Sequence, residues 1–304
     1  QNSGLFHRIN TKTGEVIFKG NLIEGKLDGY CELFFENANI KYEGEFLKGE
    51  FNGKGRLYYE NCQLKYEGDF KNSKTNGLGK LYSEKGELLY EGEFANGMYN
   101  GEGKYYENGN LKCEGKFVDG KIDGWGKQYN KDNKLNYEGE FKDGMKNGRG
   151  KMYNEGKLLY EGEFKDNYYD GFGKEYKNGG IYEGKFENGG CVQGKKYKNE
   201  KLLYEGEFKD GYCHGSGKLY SEIGHFIYEG EFKNSRKNGK GKEYYEDGKI
   251  KYEGEFKDNM YNGRGKYYFE NGKILEGIFI DNYLTGLGKW NGKKSSSYVK
   301  RRSR

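Results

Sequence analysis

Residues 137–159 read YEGEFKDGMKNGRGKMYNEGKLL, and this stretch decides the fold. Tyr137, Gly139 and Phe141 alternate with Glu138 and Glu140, which is the two-residue period of a strand with one aromatic and one charged face. A second short strand follows over Gly148–Tyr153. Between the two lie Asp143-Gly144 and Asn147-Gly148, dipeptides that accept the positive φ of a tight hairpin. The Asn154-Glu155-Gly156 that comes next is another turn signal, so the hairpin leads directly into a further strand. Gly139, Gly148 and Gly150 leave room for Tyr and Phe rings of neighbouring strands to lie flat over the backbone. On the other face Glu138 and Glu140 are expected to meet Arg149 and Lys151 as a solvated ladder of opposite charges, each pair contributing little stability.

The same segment recurs from Phe18, Tyr42, Tyr66, Tyr90, Cys113, Tyr137, Tyr160, Tyr182, Tyr204, Tyr228, Tyr252 and Leu275, at spacings of 22 to 24 residues. About twelve units therefore fill 18–292. Residues 1–17 read as a partial N-terminal repeat or cap, and 293–304 as a basic tail. A single hairpin is marginal, so the units must stack, with stability summed over neighbouring interfaces. The expected fold is all-β, an elongated single-layer antiparallel meander that forms a twisted rod, roughly 115 Å long at two strands per unit.

A mean hydropathy of −1.16 would by itself suggest a disordered chain. The 31 Tyr and 19 Phe overrule that, because rings bury much area per residue. With 53 Gly and no Pro, the backbone turns through positive-φ residues. The formal charge is +5, but residues 293–304 (KKSSSYVKRRSR) carry six positive charges and no negative one, which leaves the repeat body close to neutral. A neutral body argues against nucleic acid as a partner. Cys31, Cys62, Cys113, Cys191 and Cys213 form no CxxC pair and are odd in number, as suits free thiols in a reducing compartment. No apolar run approaches the length of a transmembrane helix. The chain starts at Gln1, which leaves open a missing N-terminal segment or a removed targeting peptide.

The chemistry of a catalytic site is not legible. In the recurring NGRGK, Gly144 to Gly150 encloses five residues and Lys151 is followed by Met152, whereas a phosphate-binding loop needs four residues and then Ser or Thr. His7, His214 and His225 are scattered, and Cys213 and His214, adjacent on a strand, face opposite sides. The carboxylates of each EGE repeat everywhere, so none is singled out. The expectation is a non-catalytic chain without cofactor or metal.

YEGEFKDGMKNGRGKMY, with its YxGxF, NGxG and trailing aromatic positions, resembles the MORN motif (membrane occupation and recognition nexus), over nearly the whole of 18–292. The resemblance implies a sheet of stacked hairpins that binds other proteins and organises large assemblies, in axonemal complexes such as radial spoke heads of cilia and flagella, or in the cytoskeleton. It also implies a peripheral membrane tether for acidic phospholipids as an alternative, and it leaves homodimers open. A subunit of a mitochondrial complex is a third reading, kept open by the start at Gln1.

If the consensus builds the rod, recognition falls to the positions that vary. The two residues before NG or its equivalent include Phe51, Met98, Tyr99, Met145, Tyr168, Tyr169, Tyr212, Met260, Tyr261 and Tyr283. They are expected to line one edge, either as a partner-binding stripe or folded back to cap the aromatic rows. Lys293, Lys294, Lys300, Arg301, Arg302 and Arg304, interspersed with four serines, suit contact with an anionic surface or a plain solvated end. The unit at Tyr182 lacks the NGxG pair and places Gln193 where glycine is expected, as drift, a bend or a partner site. Cys113, Leu275 and Trp125, which depart from their units' pattern, are expected to serve local packing.

Overall fold

The computed structural model describes residues 5–291 and 293–294. These form twenty-six strands from Leu5–Ile9 to Lys293–Lys294, with no helix among the described residues. The chain divides into two units, Gln1–Lys157 and Leu158–Arg304. Within each unit successive strands pair antiparallel, so each is a single-layer meander of the expected all-β kind.

The hairpin of residues 137–153 shows why. Leu135–Lys142 pairs with Met145–Asn154 through Tyr137↔Met152, Glu138↔Lys151 and Gly139↔Gly150. Asp143 at φ 50° and Gly144 at φ 85° make the two-residue turn, the type whose twist matches the flanking strands. The register then slips, with Phe141 opposite Lys146, so that residues 147–149 bulge outward opposite Glu140.

The bulge makes room for a ring. Tyr137 is fully buried although the sheet is one layer thick. Its ring lies flat across the two opposed glycines. A Cβ on Gly150 would lie 2.4 Å from the Tyr137 hydroxyl oxygen and 2.6 Å from the ring carbons. The phenol then donates to the carbonyl of Glu140 at 2.8 Å, which satisfies a backbone acceptor at the bulge. Phe141 meets the ring edge-on with centroids 5.0 Å apart, the geometry that aromatic quadrupoles favour. In the second unit the same elements join into one buried row through Tyr204, Phe208, Tyr228, Phe232, Tyr252 and Phe256.

Gly150→Ala is expected to destabilise by about 1–3 kcal/mol, the usual cost of overpacking a filled site. In a repeat stack the damage should stay local. Hydrogen exchange should accelerate in Leu135–Lys142, Met145–Asn154 and their immediate neighbours, and unchanged exchange there would contradict the ring's role.

Candidate functional site: a groove with a glycine floor

The Tyr-over-glycine wedge recurs at Tyr42, Tyr66, Tyr90, Tyr137, Tyr160, Tyr204, Tyr228 and Tyr252. Each phenol donates to the carbonyl three residues on, at 2.8–3.2 Å. Within each sheet unit the glycines beneath the rings align into a continuous line, as in Gly44↔Gly55↔Gly68↔Gly79. Their other side carries no ring. It is the floor of an open groove.

One wall is built from the charged alternation. In most repeats the first Glu of the EGE accepts a bond from the tyrosine that closes the hairpin, as in Tyr58 to Glu43 at 2.6 Å, Tyr106 to Glu91 at 2.8 Å and Tyr153 to Glu138 at 2.7 Å. Burial, together with the adjoining carboxylate, pushes the Tyr58, Tyr106 and Tyr129 phenols up to about 12, so they remain neutral donors. Lysines pair with the same row, as Lys80 with Glu91 at 3.6 Å and Lys174 with Glu183 at 3.3 Å. The second Glu does something the sequence reading did not foresee. Glu140 does not meet the Arg149 side chain across the ladder; its carboxylate accepts the Arg149 backbone N–H at 3.2 Å. Glu93, Glu163, Glu207 and Glu231 do the same for Glu102, Phe172, Ser216 and Lys240. This acid clamps the bulge.

In the first unit the groove runs from Tyr30 to Trp125 and encloses about 1050 Å³. In the second it runs from Gly206 to Ile278, about 1170 Å³. Five acidic and five basic side chains line each, so neither carries a net field for a polyanion. The outer wall consists of the residue between each pair of glycines, and of Tyr30 between Gly29 and Cys31. In the first unit these are Tyr30, Lys54, Leu78, Glu102 and Trp125, all exposed. Trp125 therefore does not serve local packing as expected: it is 60% exposed, opposite Glu140 on the groove face. Alternation from Gly126 would have placed it there.

The edge positions divide by parity. Phe51, Tyr99, Tyr169 and Tyr261 fold inward and stack on Tyr42, Tyr90, Tyr160 and Tyr252 at 3.8–3.9 Å. They cap the aromatic rows. Met98, Met145, Tyr168, Tyr212 and Tyr283 stay exposed at the hairpin turns, and Met260 is half-buried. The two halves of the expected stripe thus lie in different environments. Lys300, Arg301, Arg302 and Arg304 lie outside the described residues, as do the side chains of Lys293 and Lys294, whose backbone pairs with Lys289 and Trp290.

Where the opening tyrosine is replaced, another side chain takes the space above the glycines. Ile122 approaches Gly126 in the Cys113 unit, Leu284 covers Gly277 and Gly288 in the Leu275 unit, and Cys31 crowds Gly20 in the Phe18 unit. Cys113 and Leu275 are themselves buried packing residues. The Tyr182 unit is different. Gln193 pairs with Lys185 and Cys191 with Phe186, so its bulge is shorter than the others. Lys185 stands where the clamping acid belongs and pairs with Glu187 at 2.7 Å. A Cβ on Gly184 or Gly194 would meet backbone first, not a ring.

The MORN repeat family model matches residues 42–61, 66–87, 90–111, 137–156, 160–181, 204–226, 228–250 and 252–274. These eight matches open at the eight tyrosines whose phenols close on the bulge carbonyl. The chain belongs to the MORN repeat family. The four units outside the matches are those whose wedge is altered, and they form hairpins all the same. No curated protein matches the chain. Among solved structures, a chain of the crystal structure of TcdB2-TccC3-Cdc42 matches at 12% identity and a TM-score of 0.18, covering 95% of this chain and 18% of that one. This MORN chain thus spans less than a fifth of the length of that protein.

One charged cluster sits on the aromatic face of the second unit. Lys237 lies over the Tyr228 ring at 5.1 Å and pairs with Glu243 at 2.5 Å; Lys251 and Tyr261 reach the other carboxylate oxygen at 3.0 Å. Burial alone would raise the Glu243 pKa, but the two lysines outweigh it and hold the carboxyl below its ordinary value. A depressed pKa contributes stability above the unfolded-state value, and that contribution is lost as pH falls through the folded-state value. The wild-type melting temperature should therefore fall more steeply than that of Glu243→Gln as the pH drops below about 4.3. Parallel melting curves from pH 7 to pH 3, measured by circular dichroism, would contradict the pairing.

Proposed function

We propose that this MORN chain is a non-catalytic scaffold that docks partner proteins along its repeat surface, as part of a larger assembly of the axonemal or cytoskeletal kind that its sequence resemblance implies. The observation that carries the docking role is the pair of open, charge-balanced grooves, with Tyr30, Leu78 and Trp125 exposed on one wall of the first. Interfaces concentrate exposed aromatics within a polar frame, and isolated solvated faces do not need them. The exposed turn residues Met98, Met145, Tyr168, Tyr212 and Tyr283 are a second contact row on the same scaffold. No cluster of three or more metal-ligating side chains occurs among the described residues, and most of the recurring acids are held by a tyrosine, a lysine or a backbone N–H.

Cross-linking mass spectrometry on the native assembly tests this. Cross-links from lysines of several repeats to a defined set of proteins are expected, with losses when Trp125 and Leu78 are both replaced by Ser. Recovery of the chain in a membrane fraction that salt strips, with salt-sensitive pelleting on anionic vesicles and no protein cross-links, would overturn it in favour of a lipid tether.

A further inference from the structure

The wall of the first groove alternates in a way the family consensus does not require. Along successive repeats it reads Tyr30, Lys54, Leu78, Glu102, Trp125, an apolar residue in every second repeat with a cation and then an anion between. Tyr30, Leu78 and Trp125 are 59%, 64% and 60% exposed. The register runs unbroken from Cys31↔Gly44 to Gly115↔Gly126, so the wall residues fall in one file across the strands. Glu45, Asp69, Glu93 and Lys116 of the intervening strands stand between them, and Asp69 pairs with Lys54 at 3.0 Å while leaving it mostly exposed.

The spacing of that file selects an occupant. One repeat is two strands, about 9.6 Å. A polyproline II helix advances about 9.3 Å per turn of three residues, and so presents every third side chain to the same wall in step with the repeats. The misfit over the four intervals from Tyr30 to Trp125 is then only about 1 Å. An α-helix returns a side chain to one face after seven residues, about 10.5 Å, and slips by about 4 Å over the same span. An extended strand turns alternate residues away and cannot keep a three-residue step. Width agrees: the walls rise from the residues on either side of each glycine, about 6.6 Å apart along the strand, narrower than an α-helix of about 10 Å.

We propose that this groove, serving the docking function above and resting on that reading, binds a polyproline II segment of a partner protein. The segment places apolar residues, proline included, against Tyr30, Leu78 and Trp125, an acidic residue at Lys54 and a basic residue at Glu102. Aromatic-lined grooves recognise such segments because the ligand is already ordered before it binds. The charge order of the wall fixes the register, since a shift by one repeat sets apolar residues against Lys54 and Glu102. The chain contains no proline, so a second copy does not supply a proline-rich ligand. The second groove carries Ser216, Lys240 and Arg264 on the corresponding wall and lacks this alternation.

Calorimetric titration of the full chain with three synthetic peptides tests the assignment. The first is a proline-rich peptide of about thirteen residues with the apolar, acidic, apolar, basic, apolar order at every third position. The second exchanges its two charges. The third carries the same five side chains at seven-residue spacing on an alanine-rich helix. The first should bind one to one and shift Trp125 emission in a Trp290→Phe background. The charge-exchanged peptide, and the first peptide against Leu78→Ser, should each bind about tenfold more weakly, while the Leu78→Ser melting temperature stays unchanged. Failure of the proline-rich peptide to bind, equal binding of the helical one, or indifference to Leu78→Ser overturns the proposal. If cross-links to partner proteins persist in that case, the scaffold reading stands and the ligand assignment alone fails.

Discussion

A tyrosine ring lying flat on two opposed glycines is the constraint from which the rest of this molecule follows. A single-layer sheet has no second layer to bury against, so each hairpin must generate its core from its own residues. The ring does this by lying along the sheet rather than standing from it, which only an absent Cβ on Gly150 and its counterparts permits. Its hydroxyl then closes on the bulge carbonyl three residues on, so one side chain supplies burial, the covering of backbone and a backbone hydrogen bond together. At about 25 cal/mol per Å² of buried apolar surface, rings of this size are the largest stabilising element each repeat has. The same requirement produces the functional surface. Glycines kept bare for the ring on one face are bare on the other as well, and there they become the groove floor.

The altered repeats show which part of this arrangement is strict. Ile122, Leu284 and Cys31 substitute for the ring as space-filling groups, and their hairpins keep the paired geometry of the others. In these three units the space over the glycines is filled without a phenol, so the phenol bond is dispensable at intervals. In the Tyr182 unit two changes go together: the bulge is shortened and the acid that would clamp it is a lysine, Lys185. With less bulge there is little left for a carboxylate to hold. The pairing Gly184↔Gly194 nevertheless continues the glycine line through this unit. Its variation is absorbed at the turn and not in the floor.

Much of this was legible in the sequence, because the repeat offers the same two-residue alternation a dozen times. The hairpins, the aromatic face, the glycine rows and the meander all follow from residues 137–153. The environment of Phe51, Tyr99, Tyr169 and Tyr261 was also within reach: counting back by twos from Gly150 arrives at Lys146, their counterpart, on the ring side. Trp125 was obscured by its own chemistry, since an aromatic residue suggests packing even where alternation from Gly126 places it opposite the rings. The clamp made by Glu140 was not legible, because it depends on a bulge that turns a backbone N–H outward, and an exposed acid in a charged ladder gives no local sign of it. Nor could the groove be read as a cavity, since its floor is the absence of side chains.

The most direct test of the account is residue-resolved hydrogen exchange across the repeats of the second unit under native conditions. The wedge account predicts slow exchange in the strands around Tyr204, Tyr228 and Tyr252, and markedly faster exchange in Gly180–Glu187 and Gly190–Lys198, where no ring caps the paired glycines. Protection in those two strands equal to that of their neighbours would contradict the claim that the tyrosine wedge is the main stabilising element of the repeats that carry it.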